Sequence, residues 1–264
     1  MSLQNKVYTT MPPAQPGALA STEPSALRNL VPGARNVGGA KCGNFVFAAT
    51  APEGQGAGIQ EQFVSAAGSS VAGFCYRVQD AVLPSNEGAT LEYQPGQPVP
   101  VAISGDFYAK VYNGGSIGQK ALADEETGNV YAGASATSAA NGTLSFANPA
   151  SDFTDITSGA LNLSIDGGSV ALSGLNFESA ATTSAVAAVI NTALTSNGSC
   201  SVSDGAIVIA SPTTGKDSNV QYVGGDLGSL LGSGVSVPGR GALVETGFEL
   251  VTAANAGEVA IISK

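Results

Sequence analysis

Residues 97–111 read QPVPVAISGDFYAKV. Val99, Val101 and Ile103 alternate with Pro100 and Ala102, the period of a strand with one buried face. Ser104-Gly105-Asp106 carries turn chemistry, because Gly reaches positive φ freely and Asp bonds its own backbone. Phe107, Ala109 and Val111 then alternate again, and Asn113-Gly114-Gly115-Ser116 supplies another turn. The stretch predicts a β-hairpin, with its neighbours as further strands of the same sheet.

Working outward, short apolar runs bounded by turn residues predict strands over 44–48, 74–78, 89–93, 119–123 and 129–132. The same texture returns at 242–244, 248–251 and 259–262. Between these blocks the pattern differs. Leu161, Leu163 and Ile165 alternate, Asp166-Gly167-Gly168 turns, and Val170 and Leu172 return, a strong hairpin signal. Thr182 or Thr183 caps a helix whose Val186, Val189, Ile190, Ala193 and Leu194 share one face, and Asn197-Gly198 ends it. Two strands follow, near 200–202 and 206–210, around Ser203-Asp204-Gly205. Residues 227–231 read as a single helical turn and 232–241 as a flexible return.

The expected fold is therefore mainly β, in three parts. Residues 1–38 form an extended N-terminal arm, since Pro12, Pro13, Pro16, Pro24 and Pro32 each fix φ and remove a donor and so bar a central strand. Residues 39–149 and 235–264 form a small β-barrel or β-sandwich core. Residues 150–234 form an inserted ββαββ domain of α+β type. The arm also carries Val7, Tyr8, Met11, Leu27 and Leu30, an apolar set suited either to a disordered tail or to an arm that orders on a partner.

Composition excludes several functions. The formal charge is -10, and no run of Lys or Arg offsets it, so binding to nucleic acid or an anionic bilayer is not expected. No run of 18 apolar residues predicts a membrane helix, and MSLQNKVYTTMPP lacks the basic and apolar regions of a signal peptide. Accumulation in the cytoplasm of the cell that makes it is the expectation. The three cysteines, Cys42, Cys75 and Cys200, are widely spaced and read as small buried hydrophobes in a reducing compartment.

The sequence has no histidine, which removes the commonest general base, the Ser–His and Cys–His pairs and the commonest transition-metal ligand. Gly114-Gly115-Ser116-Ile117-Gly118 is flanked by strands, whereas a phosphate loop precedes a helix. Thr213-Thr214-Gly215-Lys216 ends like a P-loop, but Ala210 and Asp217 occupy the positions of its first Gly and its Ser or Thr. Asp124-Glu125-Glu126 is a run of acids in a turn, with no further cation ligand set by spacing. The expectation is a protein that is not an enzyme, with no cofactor and no metal.

The outer segments resemble the capsid cement, or head decoration, proteins of tailed bacteriophages. The resemblance lies in Gly43-Asn44-Phe45-Val46, Pro98-Val99-Pro100-Val101, Gly118 to Ala123, and the closing run through Ala256-Gly257-Glu258-Val259. It covers about half the chain and implies a Pro/Gly-rich arm on a small β-barrel. The insertion, from Gly159 through Asp166-Gly167 and Val189-Ile190-Asn191 to Ser211-Pro212-Thr213-Thr214-Gly215, resembles a module of phage tail sheath and of flagellar filament and hook-associated proteins. These resemblances imply a structural virion protein on the outer surface of the capsid. Its partner would be the major capsid protein lattice, which it would stabilise as a homo-oligomer, with a trimer as the guess, through the arm residues Val7, Tyr8, Met11, Leu27 and Leu30. The alternatives are a virion-displayed carbohydrate- or receptor-binding module, and a tail tube or sheath component.

Overall fold

The computed structural model describes residues 14–21, 27–30, 33–52, 62–78, 92–147 and 149–264. The fold is mainly β, with helices at Thr183–Leu194 and Gly228–Leu231 among the described residues. The chain divides into two compact units, Met1–Thr137 with Leu243–Lys264, and Ser138–Ala242.

The first unit holds two larger sheets. One is seven-stranded, in the order Arg28–Asn29, Val101–Ser104, Val71–Cys75, Phe45–Ala49, Gln62–Ser65, Ala34–Asn36, Pro98–Val99. The other is five-stranded, in the order Asp106–Lys110, Val259–Ser263, Leu243–Leu250, Lys120–Asp124, Val130–Gly133. They share one core: Phe45, Phe47 and Phe74 come from the first sheet, and Phe107, Ala121, Phe248, Leu250 and Ile262 from the second. Its rings meet edge to face, with Phe45 5.2 Å from Phe74 and 5.5 Å from Phe248 at 69° and 63°, the geometry that ring quadrupoles favour. The seven-stranded sheet covers a second, smaller core on its other face, with Ala34, Cys42, Val46, Val64, Cys75, Tyr93, Val99 and Val101. Phe45-Val46-Phe47 is therefore buried without a break, as a strand covered on both faces must be.

Residues 97–111 do not form a hairpin. Val101–Ser104 pairs with Val71–Cys75 and Arg28–Asn29, whereas Asp106–Lys110 pairs with Val259–Ser263 in the other sheet. A single residue, Gly105, separates the two strands, too few for the chain to fold back on itself. At φ +133° it turns the chain from one sheet into the next.

The arm also departs from expectation. Ala34–Asn36 lies inside the seven-stranded sheet, parallel to Gln62–Ser65 and antiparallel to Pro98–Val99. Its three residues contain no proline, so the argument that barred a central strand does not reach them. Asn36 is fully buried and satisfied there, its Nδ2 donating to the Tyr93 carbonyl at 2.6 Å. Further upstream, Gly17 N donates to Tyr108 O at 2.7 Å and Tyr108 N to Ala18 O at 2.9 Å, extending the edge of the five-stranded sheet.

In the second unit, Gly159–Ile165 and Gly168–Leu175 form the expected hairpin. Asp166 and Gly167 both have positive φ, 51° and 79°, as a type I′ turn requires. Thr182 caps the helix by accepting from Ala185 N at 3.2 Å, and Val186, Ala187, Ile190 and Leu194 are buried. The helix stops at Leu194 with Thr195 at φ 52°, ahead of Asn197-Gly198. Ser199–Ser203 and Ala206–Ala210 then pair around Asp204-Gly205, completing the ββαββ run. Thr143–Phe146 joins Ala206–Ala210 on its other edge, and Gly234–Val237 joins Thr143–Phe146. The stretch expected as a flexible return thus holds a strand. Its alternation is weak because all four of its residues are exposed. Val220–Gly224 adds a third strand to the 159–175 hairpin. The core of this unit centres on Leu144, Phe146, Leu161, Leu163, Phe177 and Ile190.

Candidate functional site

At one end of the five-stranded sheet, two turns meet. Gly115 N donates to Ala254 O at 2.8 Å and Ala254 N to Gly115 O at 3.0 Å, while Gly257 N donates to Val111 O at 2.8 Å. Gly114 sits at φ +70°, and a Cβ there would lie 2.8 Å from Ala256 N, so no other residue allows this approach. The turns border a groove of about 670 Å³ lined by Asn113, Ser116, Gln119, Asn255 and Glu258 among others. Its polar groups serve the turns themselves. Asn113 bonds Ala132 N and O, each at 2.8 Å, as a strand backbone would. Ser116 N donates to Gln119 Oε1, and Asn255 donates to Glu258 Oε2 through both its backbone and side-chain nitrogens. Glu258 is the single ionisable side chain of the lining. Next to the groove Ile117 is 69 % exposed, and Gly118 N holds the turn to Leu250 O at 2.8 Å.

The acidic run at 124–126 is a closed turn. The Asp124 carboxylate accepts from Glu126 N at 2.8 Å and Thr127 N at 3.1 Å. Among the described residues, no three His, Cys, Asp or Glu side chains are grouped to hold a metal.

In the second unit, Asp166 joins both sequence signatures of the insertion. Its Oδ2 accepts from Ser211 Oγ at 2.7 Å and Thr213 Oγ1 at 2.8 Å, and its Oδ1 accepts from Asn219 N at 2.8 Å. Ser218 extends the network: its hydroxyl donates to Thr213 O and accepts from Gly142 N. Desolvation raises the Asp166 carboxyl, but the bonds from Asn219, Ser211 and Thr213 outweigh it and hold the group below the ordinary carboxylate value. Sequence reading saw Asp-Gly as a turn and Ser-x-Thr-Thr-Gly as a strand end. The pairing of the two was missed, although a short acid and a run of hydroxyls are complementary.

All three cysteines are free and buried. Burial pushes the Cys200 thiol up to about 12. Cys42 and Cys75 share the smaller core of the first unit.

Of the arm residues singled out for partner contact, Val7, Tyr8 and Met11 lie outside the described residues. Leu27 is half-buried against the aromatic core and Leu30 against the smaller core, with Leu30 N donating to Val101 O at 2.8 Å. The groove turns were legible only as turns, because their meeting depends on sheet order.

The family model described as "Structural cement protein (E217 gp24/Pam3 gp6)", a phage cement family, matches residues 3–192. The chain belongs to this family. A phage cement protein is a structural component of the virion. The match spans the arm, most of the first unit and the second unit as far as its helix. No curated protein matches the cement protein described here. Among solved structures it is similar to the D2–D3 domains of the flagellar cap protein FliD from Serratia marcescens. The identity is 14 %, over 60 % of this chain and 92 % of that one, with a TM-score of 0.29, too low to establish a common fold. No helix among the described residues is long and apolar enough to cross a membrane.

Proposed function

We propose that this cement protein binds the lattice of major capsid protein on the outer surface of the head and stabilises it, without enzymatic activity. Membership of the structural cement family over residues 3–192 carries the reading. A ligand that binds only the assembled lattice stabilises it by mass action, and repeated sites across a shell add their effects. The groove end of the first unit, with Ile117 exposed beside close-packed glycine turns, offers such a contact without chemistry. The arm residues Val7, Tyr8 and Met11 add apolar side chains that order against the shell. Residues 150–234 lie within the second unit, Ser138–Ala242, which acts as a separate inserted domain, and the working form is a homotrimer, so that one particle spans several capsid subunits. The test is co-sedimentation of the purified protein with expanded heads that lack it, followed by heating. The expected result is saturable binding and a higher temperature of genome release. Heads that neither retain the protein nor gain stability would overturn the proposal, and the mass of the free particle in solution decides the trimer.

A further inference from the structure

Cys42 and Cys75 are 2 % and 0 % exposed, inside the smaller core of the first unit. The backbone brings them together: Gly43 N donates to Cys75 O at 2.8 Å and Cys75 N to Asn44 O at 2.9 Å. The Cys42 Sγ lies 3.9 Å from the carbonyl of Tyr76, the residue after Cys75. The Cys75 thiol, against desolvation and with help from the Tyr93 hydroxyl and the Arg77 charge, holds Cys42 below the ordinary thiol value. The Cys42 thiol, together with burial, raises Cys75. One sulfur is thus the better thiolate and its neighbour keeps a proton, the division of labour between an attacking and a resolving cysteine.

We propose that Cys42 and Cys75 are an oxidisable pair that a small peroxide converts into an internal disulfide. The Cys42 thiolate attacks one oxygen of hydrogen peroxide; the O–O bond breaks, and hydroxide leaves and takes a proton to become water. Cys42 is then a sulfenic acid. The Cys75 thiol gives up its proton and its sulfur attacks the Cys42 sulfur; the S–S bond forms, the S–O bond breaks, and the hydroxyl leaves with that proton as water. Two thiols lose two electrons, and one peroxide becomes two waters. Near-complete burial limits the reaction to an oxidant of about the size of water.

The bridge closes a loop that contains the strands Phe45–Ala49, Gln62–Ser65 and Val71–Cys75. A cross-link of this kind restricts the unfolded chain and raises stability. In a reducing cytoplasm the pair stays open, and an oxidising medium outside the cell closes it. A virion protein passes from one to the other, so the bond sets after assembly. Cys200 is the internal control. It lies in the core of the other unit, and its thiol is raised by burial with no thiol beside it.

The test uses the full chain, reduced, desalted and treated with hydrogen peroxide, then denatured and alkylated. The expected product has lost the mass of two hydrogens, carries one alkyl group at Cys200, and yields a peptide pair joined through Cys42 and Cys75. Its melting temperature rises by several degrees and returns when the bond is reduced. In Cys75→Ala, Cys42 stops at the sulfenic acid and is trapped by dimedone. Three alkylated cysteines after oxidation of the wild type, oxygen added at Cys42 without a link, or links between chains would each overturn the proposal. The wild-type peptide map decides the matter even where the variant does not fold.

Discussion

Thr137 and Leu243 exchange two backbone hydrogen bonds, Thr137 N to Leu243 O at 3.0 Å and Leu243 N to Thr137 O at 2.8 Å. The chain leaves the first unit at one of these residues and re-enters it at the other. The two ends are therefore already a bonded antiparallel pair, the arrangement that a short turn can close.

It follows that residues 138–242 are removable. A chain joined from Thr137 to Leu243 through a short Gly-Ser turn should fold, because both larger sheets and both cores of the first unit lie outside the deleted stretch. Circular dichroism should show a β spectrum, and one cooperative transition should fall within about 5 °C of the first unit in the parent. An insoluble or non-cooperative product would show that the first unit needs the second in order to fold.

Asp166→Ala should weaken the second unit by about 1–3 kcal/mol, since three bonds to a carboxylate are lost. Ser211, 2 % exposed, loses its acceptor, and Ala tolerates φ 51° less well than Asp. The folded carboxyl sits below its ordinary 3.8. The stabilisation is then complete above that value and is lost as pH falls through the lower folded value. Urea titrations should give the largest gap between wild type and variant at neutral pH, closing in strong acid. A gap independent of pH would assign the effect to backbone strain alone.

Two truncations separate the arm from the sheet. Removing residues 1–13 should leave the melting temperature within about 5 °C while weakening attachment to heads. Removing residues 1–36 takes out Arg28–Asn29 and Ala34–Asn36 and uncovers Tyr93. A fall of about 10 °C or more, roughly 3–5 kcal/mol, is expected. Equal melting of the two truncated chains in a thermal scan would mean that the strand at 34–36 contributes little.

Gly105→Ala should cost about 1–3 kcal/mol. The residue sits at φ +133°, and a Cβ would lie 3.0 Å from Phe107 Cζ. Gly96→Ala is the control: its φ is +87°, but nothing lies within 4 Å of the added carbon. Chemical denaturation of both should show Gly105 as the more costly, because strain and crowding act there together.

What could be read from the chain was local. The 159–175 hairpin and the 183–194 helix followed from Asp166-Gly167 and from the spacing of Val186, Ile190 and Leu194, since each element shows its period within one turn or two. The choice of partner was hidden. Val101–Ser104 and Asp106–Lys110 were seen as strands, but nothing in SGD says whether a chain folds back or crosses to another sheet; one residue of length decided it. Ala34–Asn36 was obscured by prolines on its flank, and Gly234–Val237 by full exposure. Of the candidate site, the glycine turns were visible, but their meeting across Gly115 and Ala254 rests on the order of strands in the sheet.

The five-stranded sheet also has an order of manufacture. Lys120–Asp124 is flanked by Val130–Gly133, made at once, and by Leu243–Leu250, made only after residues 138–242. At ordinary ribosomal speed that interval is roughly 5–20 s. Throughout it, one edge of a nearly finished strand is open, and an open edge accepts any matching strand. On a crowded polysome the matching strand can belong to a neighbouring nascent chain, and exchanged dimers are the consequence. A circular permutant that begins at residue 243 would deliver the missing strand first and remove the delay.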